Sequence, residues 1–302
     1  MAETPKISLV RGVAEVREQV ARARAAGKSI GLVPTMGALH AGHVELIRRC
    51  RADSDFVVVS VFVNPTQFGP TEDFTKYPRT LDADLAACEL GGADVVFAPL
   101  AEAIYPRGTA ETTFVDVPGV TARLEGASRP GHFRGVATVV MKLLNLVGPD
   151  LAHFGRKDYQ QLLVVRRMVA DLDVPVRIVG VDTVREADGL AMSSRNRYLN
   201  VEERRAAVVL SRALGLAMEA TQSGERRADR VRQILVEEIE SEGLAKLDYA
   251  EVADAETLEP LATLGEGREA VALLAVRVGP ARLIDNAILP GTRRDAADAA
   301  EK

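Results

Sequence analysis

Residues 56–63 read FVVVSVFV, and this run constrains the fold more than any other segment of the chain. β-Branched residues favour strands, and an unbroken apolar run of this length is typical of a strand covered on both faces. Strands covered on both faces belong to parallel sheets flanked by helices. The run therefore predicts a central strand of an α/β fold.

Helix-like and strand-like segments alternate on either side of this run. We predict helices at residues 12–26, 42–52, 80–90, 135–147 and 158–172, and further strands at 29–35, 94–98, 151–154 and 177–181. Such alternation predicts βαβ units in a Rossmann-like, doubly wound parallel sheet. Right-handed crossovers place the loops after the strands at one edge, where ligands of open parallel sheets bind.

The pattern changes in the second half of the chain, after a polar, aperiodic segment at residues 183–198. Helices are predicted at 201–222 and 226–242, and short strands at 248–252, 271–278 and 282–284. We predict a Rossmann-like domain at 1–183, a smaller α+β lid domain at 184–290, and a disordered, charged and alanine-rich tail at 291–302.

Charge and composition exclude several classes of function. A net charge of −5, 4% aromatic residues and no tryptophan argue against a nucleic-acid-binding protein. The two cysteines, Cys50 and Cys88, lack metal-site spacing and are expected to be buried free thiols in a reducing compartment. No apolar leader and no span-length apolar run is present, so we expect a cytoplasmic protein with no membrane partner.

His40-Ala41-Gly42-His43 follows the predicted strand at 29–35 and reads H-x-G-H. Two imidazoles three residues apart share one face of a first helical turn, and the glycine lets a ligand approach the backbone. A helix N-terminus also favours phosphate. The pattern indicates a site for a nucleotide triphosphate, although a histidine near a helix start is also a common cap.

Five longer segments carry a resemblance to a known family. PTMGALHAGH at 34–43, VNPTQF at 63–68, YPRT at 77–80, FGRKDYQQ at 154–161 and READGLAMSSRNRYL at 185–199 resemble the pantoate–β-alanine ligase family, and the resemblance extends over roughly residues 5–290. H-x-G-H and M-S-S-R also resemble the HIGH and KMSKS elements of the wider nucleotidyltransferase superfamily, which includes class I aminoacyl-tRNA synthetases.

The resemblance implies ATP-dependent condensation of pantoate with β-alanine to pantothenate. Pantoate and ATP would give pantoyl adenylate and pyrophosphate, and β-alanine would then release AMP. The resemblance further implies ATP with Mg²⁺ as the co-substrate and a homodimer. His43 matches the position of a proton donor, but an electrophilic hydrogen-bond donor is the role that its chemistry supports more directly.

The resemblance also implies the residues of the site. His43, His40, Lys157, Ser193, Ser194 and Arg195 are the expected catalytic groups. The expected ATP contacts are Met36, Gly37, Ala38, Leu39, His40, Ala41, Gly42, His43, Gly155, Arg156, Lys157, Asp158, Val184, Met192, Ser193, Ser194 and Arg195.

Gln67 and Gln161 are expected to bind pantoate, because each amide has both donors and an acceptor. Gln67 and Asn64 are expected to bind β-alanine. Further pocket walls are assigned only as candidates: Met36 and Phe62 for the pantoate methyls, and Tyr77, Arg129 and His132.

Two departures from the family pattern concern charge. Arg156 stands where relatives carry Glu or Gln, and Ala83 stands where some carry an acidic residue. Magnesium is expected to enter on the ATP phosphates, with Asp84 as a candidate outer partner. No protein ligand of the metal is assigned.

Three other functions stay open. The first is a plain nucleotidyltransferase that acts on a phosphate acceptor, for which more Lys or Arg would be expected in place of Gln67 and Gln161. The second is a non-catalytic nucleotide-binding protein. The third is a tRNA synthetase fragment, which the acidic net charge disfavours.

Overall fold

The computed structural model describes residues 7–70, 72, 74–265 and 267–290, so the predicted tail at 291–302 lies outside it. The chain divides into two compact units, Met1–Val184 and Arg185–Lys302. Neither the first unit nor the second has, in its described residues, a helix that is long and apolar enough to span a membrane.

The first unit is built on a six-stranded sheet in which all neighbouring strands are parallel. Its strands are β1 (Ser8–Val10), β2 (Ile30–Thr35), β3 (Phe56–Val61), β4 (Val95–Phe97), β5 (Leu151–Gly155) and β6 (Arg177–Val181), in the order β1-β4-β3-β2-β5-β6. The predicted parallel α/β sheet is confirmed. Strand β1 was not expected, because its three residues are too few to show a period.

Seven helices of the described chain belong to this unit, on both faces of the sheet. They are α1 (Val13–Ala25), α2 (Ala41–Asp53), α3 (Leu81–Gly91), α4 (Ala101–Ile104), α5 (Glu125–Ser128), α6 (His132–Val147) and α7 (Tyr159–Asp171). Alternate residues of β3 serve two cores, since Val58 packs with α1, α6 and α7, whereas Val57 and Val59 pack with α2 and α3. Burial on both faces explains the unbroken apolar run.

The strand order reverses direction between β2 and β5. From β2 the chain builds outward through β3 and β4, and it then returns to place β5 on the other side of β2. Loops that follow two such strands leave toward opposite faces and open a crevice at the carboxyl edge, where ligands of these sheets bind. The H-x-G-H loop follows β2, and the Gly155-Arg156-Lys157-Asp158 loop follows β5.

The second unit is a smaller α+β structure, as predicted. Its antiparallel sheet contains β7 (Ala245–Asp254), β8 (Ala270–Val278) and β9 (Ala281–Ile288). Its helices are α8 (Val201–Ala207), α9 (Val209–Gln222) and α10 (Ala228–Glu240). The prediction of a single helix at 201–222 is wrong, because the helix is interrupted at Val208, between α8 and α9.

Candidate active site

The turn after β2 is held by a carboxylate from helix α3. Gly37 and Ala38 both have positive φ, +85° and +51°, which turns successive backbone N–H groups toward one point. Asp84, which is 1% exposed, accepts Ala38 N–H at 3.2 Å and Leu39 N–H at 2.8 Å. A side chain at position 37 would be strained at that φ and would approach Asp84 Oδ2 to 3.0 Å. The carboxylate therefore fixes the chain just before His40.

The two histidines of the H-x-G-H motif are oriented by the backbone at the start of α2. His40 is the N-cap residue, and its Nδ1 accepts Gly42 N–H at 3.2 Å. His43 Nδ1 accepts His40 N–H at 3.3 Å, and the two ring centroids lie 4.1 Å apart. A nitrogen that accepts from N–H carries no proton in the neutral ring, so each neutral imidazole has its proton on Nε2. The cap and the donor interpretations of these histidines are thus compatible.

The His43 imidazole is neutral at ordinary pH. Burial lowers its pKa to about 3, and the neighbouring His40 also lowers it. The charges of Asp158 and Lys157 act on the same ring in opposite directions, which places the loop after β5 within electrostatic reach of the loop after β2. His43 can therefore donate from Nε2 without bringing a positive charge.

Asn64 sets the orientation of Gln67 in the loop after β3. Asn64 Nδ2 donates to the Gly135 carbonyl at 3.1 Å, and that oxygen can only accept, so the Asn64 amide is assigned. The same Nδ2 donates at 3.1 Å to the Gln67 side chain, which must therefore present Oε1 to it. Tyr105 OH donates to Asn64 Oδ1 at 2.7 Å. Gln67 Nε2 is thereby turned away, and it donates at 2.9 Å to Met36 Sδ.

Asn64 is itself 1% exposed, and both of its polar atoms bond within the protein. Direct contact with β-alanine, which we expected of this residue, does not fit such complete burial. The arrangement supports an indirect role, in which Asn64 orients Gln67.

Helix α6 packs unusually close to this loop. A Cβ at Gly135 would lie 2.3 Å from the Thr66 carbonyl oxygen and 2.6 Å from Gln67 N, which rigid backbone cannot accommodate. At the start of the same helix, His132 Nδ1 donates to the Gln67 carbonyl at 2.9 Å. The helix begins at His132 rather than at Gly135 as predicted, because Gly131 adopts a positive φ of +82° as its N-cap.

Arg129 and Glu72 continue this network. Arg129 Nε and Nη2 donate to the two Glu72 carboxylate oxygens, each at 2.7 Å, and Nη1 lies 3.1 Å from His132 Nε2. Burial lowers the pKa of His132 to about 4, and the Arg129 charge contributes to that shift. His132 Nε2 is therefore an acceptor, and the ring is neutral.

The loop after β5 carries opposite charges side by side. Lys157 Nζ lies 3.5 Å from Asp158 Oδ1 in the short 3₁₀ turn Arg156–Asp158. Arg156, which differs from the Glu or Gln of the family pattern, has its Nε 3.5 Å from Asp182 Oδ1 and is therefore paired with a carboxylate. Gln161 is partly exposed, whereas its neighbour Gln160 is buried and donates to the carbonyls of Val120 and Arg123.

The M-S-S-R segment lies in the second unit, on a frame of ion pairs. Arg185 binds Asp285 through two hydrogen bonds of 2.6 and 3.0 Å, and Arg204 binds Glu186 through two of 3.0 and 2.8 Å. Asn196 Nδ2 also donates to Glu186. The residues Met192, Ser193, Ser194 and Arg195 are all partly exposed, and Ser193 Oγ caps the turn Ser194–Tyr198 by accepting Arg195 N–H at 3.2 Å.

Within the first unit the structure brings several predicted residues together. Met36 contacts Gln67, and His43 contacts His40. The charges of Lys157 and Asp158 also act on the pKa of His43. Val184 is partly exposed at the end of this unit, and the convergence of Ser193, Ser194 and Arg195 on the same ligand stays a prediction.

Sequence reasoning missed the groups that hold the site in place. Asp84 was considered only in relation to the metal, while Tyr105, Gly135, Glu72 and Gln160 were not singled out. Their contacts join residues that are far apart in the chain. A glycine two residues after the R-P-G-H-F run at 129–133 was the one signal that the sequence offered, since such a glycine can mark a close approach.

Comparison with known proteins identifies similar chains. A family model described as pantoate–β-alanine ligase matches residues 8–288. The pantothenate synthetase of Moorella thermoacetica is 54% identical over 283 residues, with 94% of this chain and 99% of the relative covered. That of Pelotomaculum thermopropionicum is 54% identical over 277 residues, covering 92% and 97%.

Solved structures of a pantothenate synthetase and of a pantoate–β-alanine ligase are also similar to this chain. The crystal structure of the Thermus thermophilus pantothenate synthetase superimposes with a TM-score of 0.87 at 49% identity, covering 93% of this chain and 99% of that one. The Francisella tularensis pantoate–β-alanine ligase, complexed with β-γ ATP and β-alanine, gives a TM-score of 0.76 at 31% identity, covering 93% and 97%.

Proposed function

The chain belongs to the pantoate–β-alanine ligase family, and from this premise we propose how its own residues perform the reaction. It is a ligase that condenses pantoate with β-alanine at the expense of ATP. Its fold is similar to that of a solved pantothenate synthetase, and the match covers nearly the whole chain. The plain nucleotidyltransferase, the non-catalytic binding protein and the synthetase fragment are no longer needed as explanations.

The reaction has two steps. A pantoate carboxylate oxygen attacks the α-phosphorus of ATP, the bond from that phosphorus to the bridging oxygen breaks, and pyrophosphate leaves. The β-alanine amine then attacks the acyl carbon of pantoyl adenylate, AMP leaves with the former carboxylate oxygen, and the new amide nitrogen loses a proton.

The orientation of the two imidazoles carries the proposal for the first step. Because both Nδ1 atoms accept backbone N–H groups, Nε2–H is the donor that each of His40 and His43 can turn to phosphate oxygens. Negative charge grows on those oxygens as pyrophosphate departs, and fixed donors stabilise it. We assign His43 the role of a neutral electrophilic donor, which its lowered pKa supports better than that of an imidazolium acid.

The remaining ATP contacts of the first unit are proposed at the crevice between β2 and β5. Lys157 supplies a compact positive charge for the phosphates, Asp158 is a partner for the ribose, and Val184 contacts the base. Arg195 with Ser193 and Ser194 supplies a guanidinium and two hydroxyls. The backbone of the two loops, at residues 36–43 and 155–158, lines the nucleotide, and Met192 precedes the two serines.

Pantoate is proposed to bind through Gln67 and Gln161. Since Asn64 holds Gln67 Oε1, Gln67 presents its Nε2 donors, which suit a carboxylate or hydroxyl oxygen of pantoate. Met36 lies against Gln67, and Phe62 is buried at the end of β3. These apolar side chains are suited to the two methyl groups. Asn64 is reassigned from a substrate ligand to a positioning residue.

Magnesium is proposed to enter on the ATP phosphates, which it neutralises. Among the residues that the structure describes, no three His, Cys, Asp or Glu side chains cluster as a metal site. Asp84 uses both carboxylate oxygens to accept N–H groups from the turn, so it fits an anchor better than a metal ligand. No reaction step of ours requires a metal ligand from the chain.

The test is direct. The protein is incubated with ATP, Mg²⁺, pantoate and β-alanine, and the products are separated and identified by mass. Pantothenate, AMP and pyrophosphate are expected in equal amounts. When β-alanine is omitted but pantoate is present, labelled pyrophosphate should exchange into ATP without forming pantothenate. Formation of ADP would remove the adenylate mechanism.

The family resemblance supports a homodimeric assembly. We propose a cytoplasmic homodimer. Light scattering on the purified protein measures its mass in solution, and a value equal to a single chain would contradict the dimer.

A further inference from the structure

The ion pair between Arg129 and Glu72 has the geometry with which arginine binds any carboxylate. Two parallel hydrogen bonds of 2.7 Å join Arg129 Nε and Nη2 to Glu72 Oε1 and Oε2. The side chains are 21% and 24% exposed, so a ligand can approach both partners. Burial raises the pKa of Glu72, but the hydrogen bonds and the charge of Arg129 lower it. The resulting pKa lies below the usual value. Glu72 is therefore an ionised carboxylate.

This guanidinium is connected to the residue that we place against the acyl group. Arg129 Nη1 lies 3.1 Å from His132 Nε2, and His132 Nδ1 donates to the Gln67 carbonyl at 2.9 Å. A single imidazole ring therefore separates Arg129 from Gln67. The ring is neutral, so the positive charge at this end of the network belongs to Arg129.

The second step of the reaction places a requirement on this region. β-Alanine carries an amine at one end and a carboxylate at the other, and the amine must reach the acyl carbon beside Gln67. Its carboxylate then needs a partner a short distance from Gln67. Gln67 is neutral, Asn64 is buried, and Lys157 and Arg195 are assigned to phosphates.

We propose that Arg129 is the subsite for the β-alanine carboxylate, and that Glu72 occupies this guanidinium until β-alanine displaces it. The inference rests on the ligase activity proposed above and deepens it. The Glu72 carboxylate stands in for the substrate carboxylate, with the same two-point geometry. Arg129 then selects amines that carry a carboxylate, and Glu72 lowers the apparent affinity by the fraction of time it holds the site.

Three variants test the proposal. Arg129→Gln removes the charge, and Glu72→Gln removes the competitor. Arg134→Gln is the matched control, because Arg134 lies on helix α6 close to Arg129 in the chain and is also paired with a carboxylate. Its Nε donates to both Asp116 oxygens, at 2.9 and 3.1 Å, but at an exposed position. For each variant the KM for β-alanine is measured beside pantoate-dependent exchange of pyrophosphate into ATP. β-Alaninamide, which lacks the carboxylate, is offered as the competing amine.

We expect Arg129→Gln to raise the KM for β-alanine by at least about tenfold, since a charge-assisted pair is lost, and to reduce the preference over β-alaninamide by a similar factor. Pyrophosphate exchange should fall much less than pantothenate formation. Glu72→Gln should lower the KM for β-alanine by about twofold to fivefold. Arg134→Gln should leave that KM within about twofold of the parent value.

Opposite outcomes are equally clear. If Glu72→Gln raises the KM for β-alanine as Arg129→Gln does, the pair is only a structural tie and the proposal is overturned. An unchanged KM in Arg129→Gln overturns it as well. If either result is obtained while pantoate-dependent exchange of pyrophosphate into ATP stays intact, only the β-alanine subsite is refuted. If the parent protein shows no such exchange, the proposed ligase activity itself is refuted.

Discussion

Asn64 Nδ2 donates to Gln67 Oε1 over 3.1 Å, and this contact decides which end of the Gln67 amide faces a ligand. The Gly135 carbonyl removes the ambiguity of the Asn64 amide, so the orientation is fixed by the backbone of α6. A buried residue thus determines whether the site offers donors or an acceptor.

Replacement of Gln67 tests this polarity. Gln67→Ala loses the donors and should raise the KM for pantoate by about tenfold to a hundredfold, with a smaller effect on the KM for ATP. Gln67→Glu should be worse than Gln67→Ala, because Asn64 holds one oxygen and the other would repel the pantoate carboxylate. Steady-state kinetics with pantoate varied compare the two variants. Equal or reversed effects would contradict the assigned orientation.

Loss of the His43 donor should slow the chemical step. His43→Ala is expected to reduce kcat by on the order of a hundredfold or more, as removal of one transition-state donor costs roughly 3 kcal/mol. Pantoate-dependent pyrophosphate exchange reports this step without β-alanine. Unchanged exchange in the variant would show that His43 is only part of the helix cap.

The acid limb of the rate profile should not report His43. Its pKa in the free protein is lowered to about 3, so it stays neutral as the pH falls from about 8 to about 5. We expect the pH profile of kcat/KM for ATP to be the same in the parent and in His43→Gln over this range. In particular, the parent should show no step from a protonating imidazole that the variant lacks. Profiles of the two proteins over that range provide the measurement, and a limb near the ordinary pKa of 6.5 lost only in the variant would refute the neutral donor.

Buried His132 links stability to pH. Its pKa is lowered to about 4 in the folded protein, whereas 6.5 is the ordinary value, so between these pH values the unfolded chain binds the proton that the folded chain refuses. The free energy of unfolding should therefore fall as the pH drops from about 7 to about 4, with His132 contributing on the order of 2–3 kcal/mol. Urea unfolding at several pH values, in the parent and in His132→Gln, measures this contribution. A slope that is identical in both proteins would contradict it.

Gly135 should tolerate no side chain. In Gly135→Ala the new Cβ would meet the Thr66 carbonyl oxygen at 2.3 Å, so α6 must move away from the Gln67 loop. We expect a loss of roughly 1–3 kcal/mol in stability and a raised KM for pantoate. Gly215→Ala in α9 is the control, because its Cβ meets nothing within 4 Å and alanine favours a helix by about 1 kcal/mol. Thermal unfolding of both variants separates the two cases, and equal losses would argue against the close approach.

The fold was largely predictable because its signal is local. The apolar run at 56–63 marks a strand buried on both faces, and the alternating segments around it mark helix and strand by their periods. Where the period is short or featureless, prediction failed. Strand β1 has three residues, and no glycine or proline marks the break at Val208 between α8 and α9.

The candidate site was predictable only as far as its motifs. His40, His43 and Lys157 follow strands and could be placed at one edge of the sheet from chain order alone. The roles of Asp84 and Asn64 could not be, because they depend on partners such as Leu39 and Gly135 that chain folding brings near. Orientation of a side chain is set by such distant contacts, and a single sequence does not display them.

Asp84 has one more consequence for nucleotide binding. Its carboxylate already satisfies the N–H groups of Ala38 and Leu39, so the turn takes its shape before ATP arrives. Little conformational entropy remains to be lost in this loop when the triphosphate enters. Amide hydrogens of these two residues should accordingly exchange slowly with solvent in the absence of nucleotide, and ATP should add little to their protection.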